Sequence, residues 1–185
     1  RGVVTLAFLT GWRITSEVLP LEWGQVDRKA KTIRLEVGST QNKKGRTLAY
    51  DRLPELEQVI EDAWQEHQRL AAEGVLCPNV FHRDGKPIKS FRCAWSSACE
   101  TAGVPGKIPH DFRRTAARNL IRAGVSQSVA MQVTGHRTPS VFERYNITTN
   151  EDVRQGLGRL AEISAGKEKG KIGKSGRVAR FPKSP

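Results

Sequence analysis

The sequence predicts an α+β fold, predominantly helical, with a small antiparallel three-stranded sheet at one edge. Three observations predict it. Apolar residues recur at the helical period in several separate stretches, most clearly over Leu53–Glu73 and Asp111–Ala123. Only Thr32–Val37 and Arg46–Tyr50 alternate like half-buried strands, and they flank a polar turn. With 185 residues and 37% hydrophobic content, the chain holds enough apolar material for one compact domain plus a tail, without disulfide staples.

Taken in order, Val3–Leu9 is an apolar run suited to a buried helix, and it opens without a capping residue or an initiator Met, as in a chain cut from a longer one. Thr10-Gly11 closes it. Thr15-Ser16-Glu17 starts a second helix that carries Val18 and Leu19 inward, so Arg13 falls at the corner, where a side chain projects into a cleft and suits a phosphate clamp. Glu17, four residues on, braces that corner.

The hairpin of residues 32–50 has a basic tip, Gln41-Asn42-Lys43-Lys44-Gly45. A lysine there either reaches a phosphate or proton-accepting oxygen or is a solvated turn residue. Leu53, Leu56, Ile60, Trp64, His67 and Leu70 mark one face of a long scaffold helix that ends before Gly74. Val80-Phe81-His82 is the expected third strand, the turn 83–87 follows, and Ser90–Ala102 is a helix carrying Trp95 inward.

In the helix Asp111–Ala123, Arg114, Arg118 and Arg122 form a cationic stripe. Arg113 shares its face instead with Ala117, Leu120 and Ile121 and points toward the interior or a cleft. A guanidinium held there needs an anion, either a core carboxylate or a bound phosphate. Next, Ser126–Val133 ends at Thr134-Gly135 and delivers His136, and Ser140–Arg144 delivers Tyr145. Residues 1–165 are expected to form the domain. Gly166–Pro185 holds seven Lys or Arg against one Glu, with too few apolar residues to fold, and reads as a disordered basic tail that either holds DNA non-specifically or serves as linker.

The net charge of +12 points to an anionic polymer, nucleic acid before membrane, because no amphipathic anchor accompanies it. There is no run of 18 apolar residues and no secretory pattern at the start, so a cytosolic protein is expected. Cys77, Cys93 and Cys99 match no metal spacing and read as ordinary thiols; no metal or cofactor is expected.

The ordered set Thr10-Gly11-Trp12-Arg13, the hairpin lysines, His110-Asp111-Phe112-Arg113, Gly135-His136 and Tyr145, nine residues after that His, resembles the catalytic domain of the tyrosine recombinases, the phage integrase family. The resemblance spans roughly residues 3–150. It implies the DNA breaking-rejoining fold and a site-specific recombinase that uses neither metal nor ATP. Tyr145 is then the nucleophile that forms a 3'-phosphotyrosyl link, Arg13 and Arg113 grip the non-bridging oxygens, His110 takes the phenol proton, His136 hydrogen-bonds the scissile phosphate, and a hairpin lysine protonates the leaving 5'-oxygen.

Where relatives commonly carry that lysine, this chain has Gln41. Lys43 is the expected substitute, because it shares a strand face with Gln41, and Lys44 is the alternative. Arg114, Lys44, Arg46, Lys107 and Arg137 are expected to hold the DNA backbone. The resemblance further implies double-stranded DNA as partner, a homotetramer on paired sites at full length, an amino-terminal domain that clamps the other side of the DNA, and a bacterial or phage protein working on the nucleoid. A DNA-binding relative that no longer cleaves, and a tyrosine-using topoisomerase, stand as alternatives.

Overall fold

The computed structural model describes residues 1–36, 45–145 and 149–169, with side chains through 164. Two compact units divide the chain, Arg1–Ile147 and Thr148–Pro185.

In the first unit, α1 (Gly2–Thr10) is apolar along most of its surface and buries Val3, Leu6, Ala7 and Thr10, while Phe8 is exposed. It packs between α2 (Pro54–Ala72) and α4 (Asp111–Arg122). The principal core gathers Leu6 and Ala7 of α1, Leu56 and Ile60 of α2, the corner residues Trp12, Val18 and Leu21, and the inner face of the sheet.

That sheet has the order β1 (Val26–Asp27), β2 (Thr32–Leu35), β3 (Arg46–Ala49), all antiparallel, with Ile33 opposite Leu48 and Leu35 opposite Arg46. Ile33, Leu35 and Leu48 face the core, as strand alternation requires. Three strands are therefore present, but the third is not the one expected. Residues 82–87 form a separate hairpin, β4 (His82–Arg83) with β5 (Lys86–Pro87), turned by Asp84 and Gly85 at φ 50° and 75°. Paired positive φ values are what a two-residue hairpin turn demands. Val80 and Phe81 stay in the core, Val80 N donating to Leu21 O at 2.8 Å.

α3 (Arg92–Thr101) starts two residues later than expected and leans Trp95 on Phe91 and Phe112. A second, smaller core lies under α5 (Gln127–Thr134) and α6 (Pro139–Glu143), where Phe142, Ala130 and Ala117 are fully buried. Trp12 Nε1 donates to Val133 O at 2.9 Å and ties the two cores together. The motif residues fall on this seam.

The second unit contains α7 (Asn150–Lys169), opened by a reciprocal cap in which Thr149 N donates to Asp152 Oδ2 at 2.7 Å and Asp152 N to Thr149 Oγ1 at 3.3 Å. The sequence put the division at 165/166. Helix α7 instead runs across it, through the first four residues of the expected tail; residues 170–185 lie outside the described residues. No helix among the described residues is long and apolar enough to cross a membrane.

Candidate active site

The corner after α1 is tighter than a plain helix start. Residues Ile14–Val18 form one π-type turn, with Val18 N donating to Arg13 O at 3.1 Å and Leu19 N to Ile14 O at 2.8 Å. Glu17 is thereby folded back beneath Arg13. It is 2% exposed, accepts from Arg13 N at 2.8 Å through Oε2 and from Arg13 Nη1 at 3.2 Å through Oε1, so it braces the corner as its spacing suggested.

The same carboxylate has a second cation. Arg46 Nη2 lies 2.9 Å from Glu17 Oε2, an ion pair without the alignment of a hydrogen bond, and the Arg46 guanidinium lies 4.9 Å over the Trp12 ring. Burial pushes the Arg46 pKa down and Glu17 opposes that shift. Arg46, expected on the DNA face, is instead built into the protein beside the site. Lys43 and Lys44 lie outside the described residues.

Arg113 enters from the first turn of α4 on the buried face with Ala116 and Ala117. Its Nη1 donates to Gly11 O at 2.8 Å and to Thr134 O, the carbonyls beside the left-handed ends of α1 and α5. The anion that the sequence demanded is not a touching carboxylate. Two neutral carbonyls hold Arg113, and Nη2, though buried, has no hydrogen-bond partner among the described residues. Burial first, and Arg13 next, push its pKa down to about 10, which leaves it cationic at neutral pH.

His136 follows Gly135, whose φ of 70° ends α5. A Cβ on Gly135 would lie 1.9 Å from Arg46 Nη1, so glycine serves both the turn and the close approach of that guanidinium. His136 Nδ1 lies 2.6 Å from Thr134 Oγ1, which itself donates to Ala130 O at 2.7 Å. A hydroxyl has one hydrogen, so Nδ1–H is the donor in the first pair, and Nε2 is left buried without a partner among the described residues. Burial, and then Arg113 and Arg13, depress the His136 pKa to about 3. Burial and the neighbouring guanidiniums hold it neutral.

His110 stands at the start of α4, and its Nε2 is 3.0 Å from Tyr145 Oη. Burial, then Arg113, Arg13 and Arg114, lower the His110 pKa, so a neutral ring faces the phenol and can accept its proton. Tyr145 reaches this position because Phe142 anchors α6; its ring lies 5.2 Å from that of His136. Arg114 sits 5.9 Å over the Tyr145 ring and 3.6 Å from Asp111 Oδ1. Lys107 and Arg137 are exposed. The structure thus brings Arg13, His110, Arg113, His136 and Tyr145 together. Sequence reasoning missed Thr134, the partner of His136, and the role of Arg46; a hydroxyl two residues before a site histidine was the available signal for Thr134.

Arranged this way, two guanidiniums and two neutral imidazoles surround one phenol, a set matched to a phosphodiester. The chain matches the model of the phage integrase family over residues 1–151 and belongs to that family. It is 30% identical over 156 residues to the virulence plasmid integrase pGP8-D of Chlamydia trachomatis, covering 81% of this chain and 44% of that protein. It is 29% identical over 152 residues to the integrase of Salmonella phage P22, covering 78% and 38%. The chain therefore spans less than half the length of these relatives. Among solved structures, XerA recombinase has a TM-score of 0.68 at 16% identity, covering 85% of this chain and 57% of that one. The Tn1549 transposon integrase in complex with a circular intermediate DNA has 0.66 at 16%, covering 86% and 58%. These likenesses show the fold.

Proposed function

We propose that this chain is the catalytic domain of a site-specific DNA recombinase that cleaves and rejoins strands through a 3'-phosphotyrosyl intermediate. The 3.0 Å pair of Tyr145 Oη with His110 Nε2, beside an Arg113 with an unpartnered Nη2, carries the reading. Phosphodiester oxygens are already anionic and repel nucleophiles. Arg113 Nη2 and Arg13 bind the two non-bridging oxygens and neutralise the charge that grows on them.

His110 accepts the phenol proton, Tyr145 Oη bonds to phosphorus, and the bond from phosphorus to the 5'-oxygen breaks. A hairpin lysine, Lys43 by the sequence reading, returns a proton to that leaving oxygen. One phosphate ester bond replaces another, so a 5'-hydroxyl from a second strand reverses the step and frees Tyr145. An arriving phosphate favours a proton on His136, which then donates from Nε2 to a non-bridging oxygen.

Double-stranded DNA is the substrate, the full-length protein works as a homotetramer on two paired sites in the cytosol, and Arg114 and Arg137 hold backbone phosphates. The basic tail adds non-specific affinity.

A nicked suicide duplex, from which the cleaved fragment diffuses away, tests the reading. The chain is expected to accumulate a covalent DNA adduct, and Tyr145→Phe to form none. No adduct with the full-length protein on its own site would leave a DNA-binding protein that does not cleave.

A further inference from the structure

Thr134 closes α5, is fully buried and touches the site twice. Its carbonyl accepts from Arg113 Nη1, and its hydroxyl lies 2.6 Å from His136 Nδ1 and 2.7 Å from Ala130 O. One residue therefore sets both a guanidinium and an imidazole of the candidate site. A carbonyl is common to every residue, but only Ser or Thr brings this hydroxyl.

The Thr134 oxygen stands between two groups at hydrogen-bond distance, and each gap needs one hydrogen. Ala130 O only accepts, so the hydroxyl hydrogen lies on that side. The hydrogen in the other gap then belongs to the ring. Neutral His136 is the Nδ1–H tautomer, and Nε2, the buried atom without a partner among the described residues, carries a lone pair. A lone pair repels a phosphate oxygen, which also only accepts. In this tautomer His136 gives an anion nothing until Nε2 gains a proton, and it then donates with a full charge. Among the described residues the charged and titratable groups around it are Arg113 in α4, His110 at the start of α4, Arg13 at the corner, Arg46 in β3 and Tyr145, with Glu17 behind Arg13 and Arg46. The guanidiniums oppose that proton, and the non-bridging oxygens of a phosphate favour it.

We infer that Thr134 is a positioning residue, which acts through His136 by holding its ring in the Nδ1–H tautomer, so that His136 engages the scissile phosphate only as an imidazolium. This deepens the recombinase reading and rests on it. Nitrogen NMR of the 185-residue chain, labelled at its histidines and held at neutral pH, reads the tautomer directly. The wild type is expected to show a protonated Nδ1 and a bare Nε2, and Thr134→Ser to keep that pattern. Thr134→Val, which keeps both branches at Cβ and removes the hydroxyl, is expected to show Nε2–H.

Adduct formation with the nicked suicide duplex reads the consequence. With sulfur in place of the leaving 5'-oxygen, departure needs no proton and the hairpin lysine drops out of the pH profile. The wild-type rate is expected to fall about tenfold for each pH unit above the pKa that His136 takes in the complex, and Thr134→Ser to follow it. Thr134→Val is expected to be about tenfold slower at the acid end, where a neutral bond replaces a charge-assisted one, and to lose the alkaline fall. A bare Nδ1 in the wild type overturns the proposal without any variant. So does a Thr134→Val chain that keeps the wild-type tautomer or the wild-type profile. A wild type with the Nδ1–H tautomer that forms no Tyr145 adduct overturns the recombinase reading and leaves the tautomer assignment standing.

Discussion

Arg113 and Arg13 line the same groove and carry the same charge, yet the fold holds them by opposite means. Arg113 is fixed by two main-chain carbonyls, with no carboxylate among the described residues touching it; Arg13 is fixed by Glu17, a buried carboxylate that it shares with Arg46. Carbonyl dipoles position a guanidinium without cancelling it. A carboxylate does both. The difference leaves Arg113 without a touching counter-charge and gives Arg13 a place in a network whose geometry depends on one acid.

Arg113→Ala is the severest way to break that contrast. Cleavage of the suicide duplex is expected to slow by about 10²–10³-fold, the usual loss for one preorganised donor. Arg113→Lys, with a single ammonium in place of a fork, is expected to recover little of it. Glu17→Gln comes next. Two guanidiniums lose their common counter-charge, and chemical denaturation is expected to show a loss of about 2 kcal/mol, the scale of a hydrogen bond to a charged group. Gly135→Ala is expected to cost about 1–2 kcal/mol from the left-handed backbone alone. It should also expel Arg46 from its place, so an added loss of cleavage beyond that of an equally destabilised control variant marks the second effect.

A further expected effect is on pH dependence. A histidine whose pKa in the folded chain is about 3, against an ordinary 6.5, takes up its proton more readily once unfolded. Stability is therefore lost as pH falls from about 6.5 toward 3. His136→Gln is expected to flatten the melting temperature over that window relative to the wild type, while His110, also depressed, keeps part of the slope.

Much of this site is legible in sequence because its motifs are local. His110 and Arg113 are one helical turn apart, and the face that Arg113 shares with Ala117 announces its burial. Gly135 announces a helix end that aims His136. The long helix α2 is equally plain from the spacing of Leu56, Ile60 and Leu70. What escaped depends on distance or brevity. Arg46 reads as a surface cation because Glu17, its partner, is 29 residues away in sequence. Val26–Asp27 is too short to show alternation, so the third strand was sought at Val80–His82, whose apolar residues belong to the core. The spacing of Glu17 from Arg13 suits an α-helical pair, and nothing in it distinguishes the π-type turn that brings both Glu17 oxygens onto Arg13. Helix α7 crosses the compositional change because its reciprocal cap and its helix-forming residues do not need the apolar content used to place the boundary.

The crowding of Arg13, Arg46 and Arg113 about one site has a thermodynamic side. Each of these groups depresses the pKa of His136, a sign that the site holds like charges at a cost. A polyanion bound in the folded chain would relieve that cost and would find no such site in the unfolded one, so the melting temperature is expected to rise with added duplex DNA. On the proposed function, the substrate would complete the electrostatics of the fold as well as the chemistry.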